Sequence, residues 1–399
     1  CEKNLSYYTP KHGGPKQSIR VPQCYSLYVC PLSCGRRIAI RAIKNGDINK
    51  ISFLYINQAD VISGDYENKI AGAIKDILDI LEDKPKAFVI YVNCIDDFLG
   101  TDEIALVQHL IESFPHLKFT ICHINPVSDD EGIPRGMLMY DRLYGFLQEK
   151  IFEDSSANLI ANFVSIDKNS EFYDVLKSFG ITKINELFNL ETFEEYENMA
   201  NSKLNIVHMV MGKLAGETLR KKVGTPCLFL PPSYDVQTVA NNYNLIGETL
   251  NKQPLDFSEE IAKTQEAINK TLATVGNMPI IVDTFATMLP FAIAKNLAGN
   301  GFNVCAVFAT HAKDTDREDL EYITQHYKNI KIIKGLDYKE VLSCNLDKNC
   351  IAIGFDGAYT IKAEHFVDIR HDESFYGFYG IRKLMDLICE AYNKKTIWE

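Results

Sequence analysis

The sequence holds a single tryptophan, with 14 prolines and 23 glycines among 399 residues. It has no low-complexity tract and no short-period repeat, which excludes collagen-like, solenoid and disordered architectures. No stretch reaches the ~18 apolar residues that a membrane span needs. The longest apolar run, Ala87–Ile95, is far shorter and contains Asn93. Positive charge is in deficit: 42 Lys and Arg stand against 53 Asp and Glu, a net charge of −11. Such a surface repels phosphate and argues against nucleic acid or a membrane as partner. Nucleotide signatures are missing too. There is no G-x-x-x-x-G-K-[ST] phosphate loop and no G-x-G-x-x-G turn. The chain is expected to bind no nucleotide itself, so a partner must supply any energy or electrons its chemistry needs.

Cysteine is what the sequence has in excess: 11 residues, an odd number that cannot pair completely. A chain this long builds a core without disulfide staples, so these read as thiols in a reducing, cytoplasmic compartment. Cys122, Cys227 and Cys305 lie in apolar, strand-like runs and read as small buried hydrophobes. Cys1 invites comparison with a lipid-anchored chain, but such an anchor expects a flexible Gly/Ser tether. Here Glu2-Lys3-Asn4-Leu5-Ser6-Tyr7-Tyr8 follows instead.

Hydrophobic periodicity alternates short β-rich runs with amphipathic segments. Strands are predicted at Phe53–Ile56, Ala87–Asn93 and Leu117–His123, then at Leu159–Ile166, Leu204–Met209 and Cys227–Leu230. A third series has strands at Pro279–Asp283, Asn303–Phe308, Ile330–Ile333 and Cys350–Gly354. Helices are predicted between them, among them Tyr66–Asp83, Met137–Phe152, Phe285–Ala298 and Tyr376–Asn393. A βαβ series implies parallel sheets. The expected architecture is α/β: three Rossmann-like modules, over residues 1–155, 156–275 and 276–399.

The chemistry-bearing candidates cluster early. Cys34 sits in Cys30-Pro31-Leu32-Ser33-Cys34-Gly35-Arg36-Arg37, ahead of the helical stretch Arg36–Lys44. A helix N-terminus favours thiolate, the metal-binding form. Gly35 permits close backbone approach there. Arg36 and Arg37 either balance an anionic group or lie on a solvated helix face. Cys94 ends the strand Ala87–Asn93, at the carboxyl edge where open α/β sheets place ligands. Asp96 and Asp97 beside it suit proton donation or partner docking, or plain turn chemistry. Cys24 and Cys30 flank Tyr25–Val29 and read as packing or as further ligands. His311, after a strand, suits either a proton donor or a loop cap.

The ordered series of these stretches resembles the nitrogenase component 1 family. It runs from Cys30–Arg37 through Ile51–Ile70 and Ala87–Asp102, then Asn205–Leu250, Val275–Asp319 and Ser374–Ile388. By that resemblance, Cys34 and Cys94 match two of three cluster cysteines, with Cys1 or Cys24 as the third. An iron–sulfur cluster, 4Fe–4S by type, normally takes four protein ligands. Three per chain therefore imply a dimer, of identical or related subunits. The resemblance further implies an ATP-dependent iron protein as electron donor. Where the family holds its molybdenum–iron cofactor by cysteine, this sequence reads His208-Met209-Val210-Met211. Neither His365 nor His371 matches the family's cofactor histidine cleanly. No molybdenum–iron cofactor is expected, and the substrate is expected to be a small organic or tetrapyrrole-like molecule. The alternatives are a cofactor-assembly scaffold and a cluster-free solute- or tetrapyrrole-binding protein.

Overall fold

The computed structural model describes residues 21–64, 66–124, 133–162, 164–309, 316–334, 338–343, 345–372 and 374–398. The first sheet contains β1 (Cys24–Cys30), β2 (Ile51–Tyr55), β3 (Ala87–Asn93) and β4 (Lys118–Ile124), in the order β2-β1-β3-β4. The second contains β5 (Ser156–Leu159), β6 (Lys183–Glu186), β7 (Leu204–Val207) and β8 (Cys227–Phe229), in the order β6-β5-β7-β8. The third contains β9 (Ile280–Asp283), β10 (Val304–Phe308), β11 (Lys331–Ile333), β12 (Ile351–Ile353) and β13 (His365–Val367), in the order β11-β10-β9-β12-β13. Every pairing described is parallel. The chain divides into two compact units. One holds the first two sheets and runs to 163 and again over 182–229; the other holds 164–181, 230–399 and the third sheet.

The first sheet shows why Ala87–Asn93 is an unbroken apolar run. Phe88, Ile90 and Val92 pack with Ile70, Ile74 and Ile77 of helix Tyr66–Ile80 and with Leu106 and Leu110 of helix Glu103–Ser113. Ala87 and Val89 pack on the other face with Tyr140, Leu143 and Tyr144 of helix Arg135–Tyr144. A parallel strand buried on both faces has no reason to alternate.

Four predicted elements shift. The helical stretch expected at Arg36–Lys44 is Leu32–Asn45, so Cys34 lies in its first turn and not ahead of it. The strand expected at Leu159–Ile166 is Ser156–Leu159. Its buried Asn158 donates to Asn205 at 2.8 Å and accepts from Asn185 at 3.0 Å on the flanking strands. This polar ladder looks like loop in sequence, and Ala161, at φ 60°, then turns the chain out of the sheet. The helix expected from Phe285 begins at Pro290. The Asp283 carboxylate takes the amides of Phe285 and Ala286 into a turn, and Asp316 caps Phe291 and Ala292, each at 3.0 Å. The helix expected over Met137–Phe152 is Arg135–Tyr144 and ends at Gly145.

In the other unit, helix Gly377–Asn393 starts from a borrowed cap. Glu171 accepts the amides of Phe378 at 2.6 Å and Tyr379 at 3.0 Å, and the Tyr243 hydroxyl at 2.8 Å. Gly377 has φ 68°, and a Cβ there would overlap both Glu171 and Tyr243. The aromatic–glycine motif of the sequence is thus a close-approach site. Arg382 ties the same helix to Glu260 and Thr264 of helix Ser258–Val275.

Candidate functional site

In a doubly wound parallel sheet, ligands collect where the strand order reverses, beyond the carboxyl ends of the strands. In the first sheet β1 has β2 on one side and β3 on the other, so the crevice opens between β1 and β3. Val29 and Val92 are paired there. The next residues, Cys30 and Asn93, close the two strands at one edge, with neighbouring strands ~4.8 Å apart.

From that edge the chain turns at once into helices. Pro31, extended at φ −60° and ψ 153°, alone separates Cys30 from helix Leu32–Asn45, which carries Cys34 in its first turn. Cys34 is exposed. Asn93 caps helix Cys94–Leu99, its Oδ1 accepting the Ile95 amide at 2.9 Å. Cys94, half-buried, is the first residue of that helix. Cys34 and Cys94 therefore leave adjacent strands at the same edge. Cys30 ends β1 and is buried; burial, then the neighbouring Cys34, pushes its thiol up to about 11. It stays protonated at neutral pH.

Cys24 is placed elsewhere. It opens β1 opposite Ala87, six residues from Cys30 and so ~20 Å along the strand at the amino edge. The structure does not bring it to Cys34 and Cys94. Its thiol is buried and turned to the Tyr25 carbonyl. Gly35 has a packing role: a Cβ there would come within 3.0 Å of Phe53 and 3.1 Å of Tyr55. Those rings continue a row over the sheet, Tyr55–Phe53–Tyr28–Tyr91, whose Tyr28 and Tyr91 stack at 4.6 Å. Arg36 is exposed. Asp96 is buried and accepts the hydroxyls of Tyr66 and Thr101, which makes it an anchor for its loop. Asp97 lies on helix Cys94–Leu99, its side chain outside the described residues. Cys1 and His311 lie outside them as well.

Among the described residues, no three His, Cys, Asp or Glu side chains are grouped to hold a metal ion. The edge supplies two thiols and one further feature that sequence reasoning missed. Asn93 is 6% exposed, and its Nδ2 has no hydrogen-bond partner among the described residues. The amide is not simply reversed, because a flip would aim NH₂ at the Ile95 amide and lose the cap. A buried donor left unpaired costs about 1–3 kcal/mol. An electron-rich sulfur group held by Cys34 and Cys94 would give this donor an acceptor, so the residues present fit such a group. The only signal in the sequence was an amide directly before a candidate ligand.

Two buried titratable groups mark the corresponding edges of the other sheets. His208 follows β7, and burial pushes its imidazole down to about 4. It is neutral at physiological pH and is no proton store. His365 donates from Nδ1 to the Ala391 carbonyl at 2.8 Å, as a core histidine. Asp283 ends β9, and burial pushes its carboxyl up to about 7, although it accepts amides from Gly357, Ala286 and Phe285. Gly354, at φ 106°, leaves room for that carboxyl; a Cβ would overlap it. Nearby, Asp372 accepts the hydroxyls of Tyr234 at 3.1 Å and Thr287 at 2.9 Å.

The nitrogenase component 1 type oxidoreductase family is matched over residues 19–394. The chain belongs to that family. The fold agrees. A solved structure described as "Nitrogenase Cp1 at pH 6.5" superposes with a TM-score of 0.69 at 13% identity, covering 98% of this chain and 95% of that one. A second, "Nitrogenase Cp1 at pH 5", gives a TM-score of 0.58 at 13% identity, covering 97% and 90%. No curated protein sequence matches the chain. As a component 1 type protein, it has no helix among the described residues long and apolar enough to cross a membrane.

Proposed function

We propose that the chain is the iron–sulfur component of a two-component reductase, with Cys34 and Cys94 as ligands. The observation that carries this reading is their shared position, following adjacent parallel strands at the reversal point of the first sheet. Family membership supplies the class of chemistry. When bound, the cluster would accept and release single electrons. The chain's own residues hold it: two thiols on short, packed connections, with the aromatic row Tyr55–Tyr91 alongside. Cys1 is the third ligand of this proposal, since Cys24 lies at the opposite edge. The electron donor is an ATP-dependent iron protein, and the substrate is a small organic or tetrapyrrole-like molecule.

A second subunit completes the cluster environment, in the simplest case a second copy of this chain. Helix Leu32–Asn45 supports this: Leu32, Ile40 and Ile43 form one stripe and are 69%, 46% and 64% exposed, on the helix that carries Cys34. A stripe of this kind on a soluble protein marks an interaction surface.

The test is iron and acid-labile sulfide per chain after anaerobic purification or reconstitution. About two to four irons per chain are expected, lost in Cys34→Ala and in Cys94→Ala. Folded protein that takes up no iron overturns the reading.

A further inference from the structure

The geometry points to Asn93 as a positioning residue for the bound cluster: its Nδ2 donates an N–H···S hydrogen bond to a cluster or ligand sulfur and raises the reduction potential. This rests on the iron–sulfur reading above. Three observations carry it. Asn93 is the last residue of β3, immediately before Cys94, and follows Val92 as Cys30 follows its partner Val29. Its Oδ1 is committed to the Ile95 amide, which fixes the amide group at the carboxyl edge. Its Nδ2 is buried with no acceptor in the described structure. Buried polar groups are almost always paired, so an orphan marks an absent partner. Water is a general candidate, but the acceptor that belongs at this edge is sulfur. Hydrogen bonds to cluster sulfurs stabilise the reduced, more negative state. Asn93 is neutral, so it tunes the cluster without compensating its charge.

The experiment uses the full chain reconstituted anaerobically with ferrous iron and sulfide. Wild type, Asn93→Ala and Asn93→Asp are compared by iron content and by redox titration followed by electron paramagnetic resonance. Asp retains the helix cap and loses the donor; Ala loses the donor without adding charge. Equal iron in all three, with a lower midpoint potential in both variants, is expected. At a fixed applied potential the ratio of reduced to oxidised cluster should fall about tenfold, equivalent to 59 mV for a one-electron couple. Equal iron and an unchanged potential in Asn93→Ala overturn the proposal and leave the iron–sulfur reading standing, even if Asn93→Asp shifts, because charge alone then explains the shift. Loss of iron in both variants with the fold intact overturns it in favour of a role in holding the cluster. Wild-type protein that takes up no iron overturns both.

Discussion

Val29 on β1 stands opposite Val92 on β3, and this one pairing decides which cysteines share an edge. Counting forward from it reaches Cys30, Asn93 and Cys94; counting back along β1 reaches Cys24 at the other end of the sheet. The first consequence is selective. Cys24→Ala should keep the full iron content while Cys34→Ala and Cys94→Ala lose it. Cys24 is buried, so the variant should cost about 1–2 kcal/mol in urea unfolding. Iron loss in Cys24→Ala at intact fold would contradict the placement.

A second expectation concerns association. If a second copy covers the stripe on helix Leu32–Asn45, Ile43→Glu should place a charge inside an apolar contact. Light scattering coupled to gel filtration should then read monomer where wild type reads dimer. Ile62→Glu is a control: Ile62 is 85% exposed and lies on the separate helix Gln58–Ser63. It should leave the dimer unchanged.

Gly377→Ala tests the borrowed cap. The methyl group would meet Glu171 and Tyr243 in a backbone conformation with φ 68°. Strain and displacement of the cap together should cost about 3 kcal/mol or more. Urea denaturation followed by circular dichroism measures it, and a loss below ~1 kcal/mol would show that Glu171 does not depend on the glycine.

The pH dependence of stability should carry two opposed contributions. Burial pushes the Asp283 carboxyl from its ordinary 3.8 up to about 7 in the folded state. Between those values the folded state holds a proton the unfolded state has lost, so its contribution falls as pH rises and is flat above about 7. The gap converts to roughly 4 kcal/mol at most. His208 runs the other way: burial pushes its imidazole from the ordinary 6.5 down to about 4 when folded. Its contribution is complete above 6.5 and is lost as pH falls towards 4. Urea unfolding from pH 4.5 to 7 should expose each in turn. His208→Phe should leave stability falling with rising pH; Asp283→Asn should leave it falling with acid. Parallel slopes in the two variants would refute the assignment.

Much of the fold was legible because burial on both faces writes itself as apolar runs. The strand Ala87–Asn93 matches its prediction residue for residue, and the Ile70–Ile74–Ile77 stripe set its helix correctly. What failed was polar by composition but buried in fact. Asn158 is hydrogen-bonded to Asn185 and Asn205 across strands, which no local pattern reveals. The apolar run inside β1 was visible, but its central place in the sheet depends on long-range pairing with β2 and β3. At the site, Cys94 at a strand end could be read from hydrophobicity. The distance of Cys24 from it, and the unpaired amide of Asn93, exist only in three dimensions.

The connection from β1 to the helix bearing Cys34 is one residue long, and that residue is Pro31. Such a tether has no slack: its φ is fixed by a ring, and its two ends are a sheet strand and a helix. If Cys34 holds the proposed cluster, its backbone is pinned to the sheet edge by this tether. Cys94 is mounted just as tightly, directly after Asn93. For a centre that passes electrons one at a time, immobile ligands keep the nuclear reorganisation of each transfer small. In the proposed cluster, Pro31 would thereby bear on the speed of exchange, a property separate from the driving force that Asn93 would adjust.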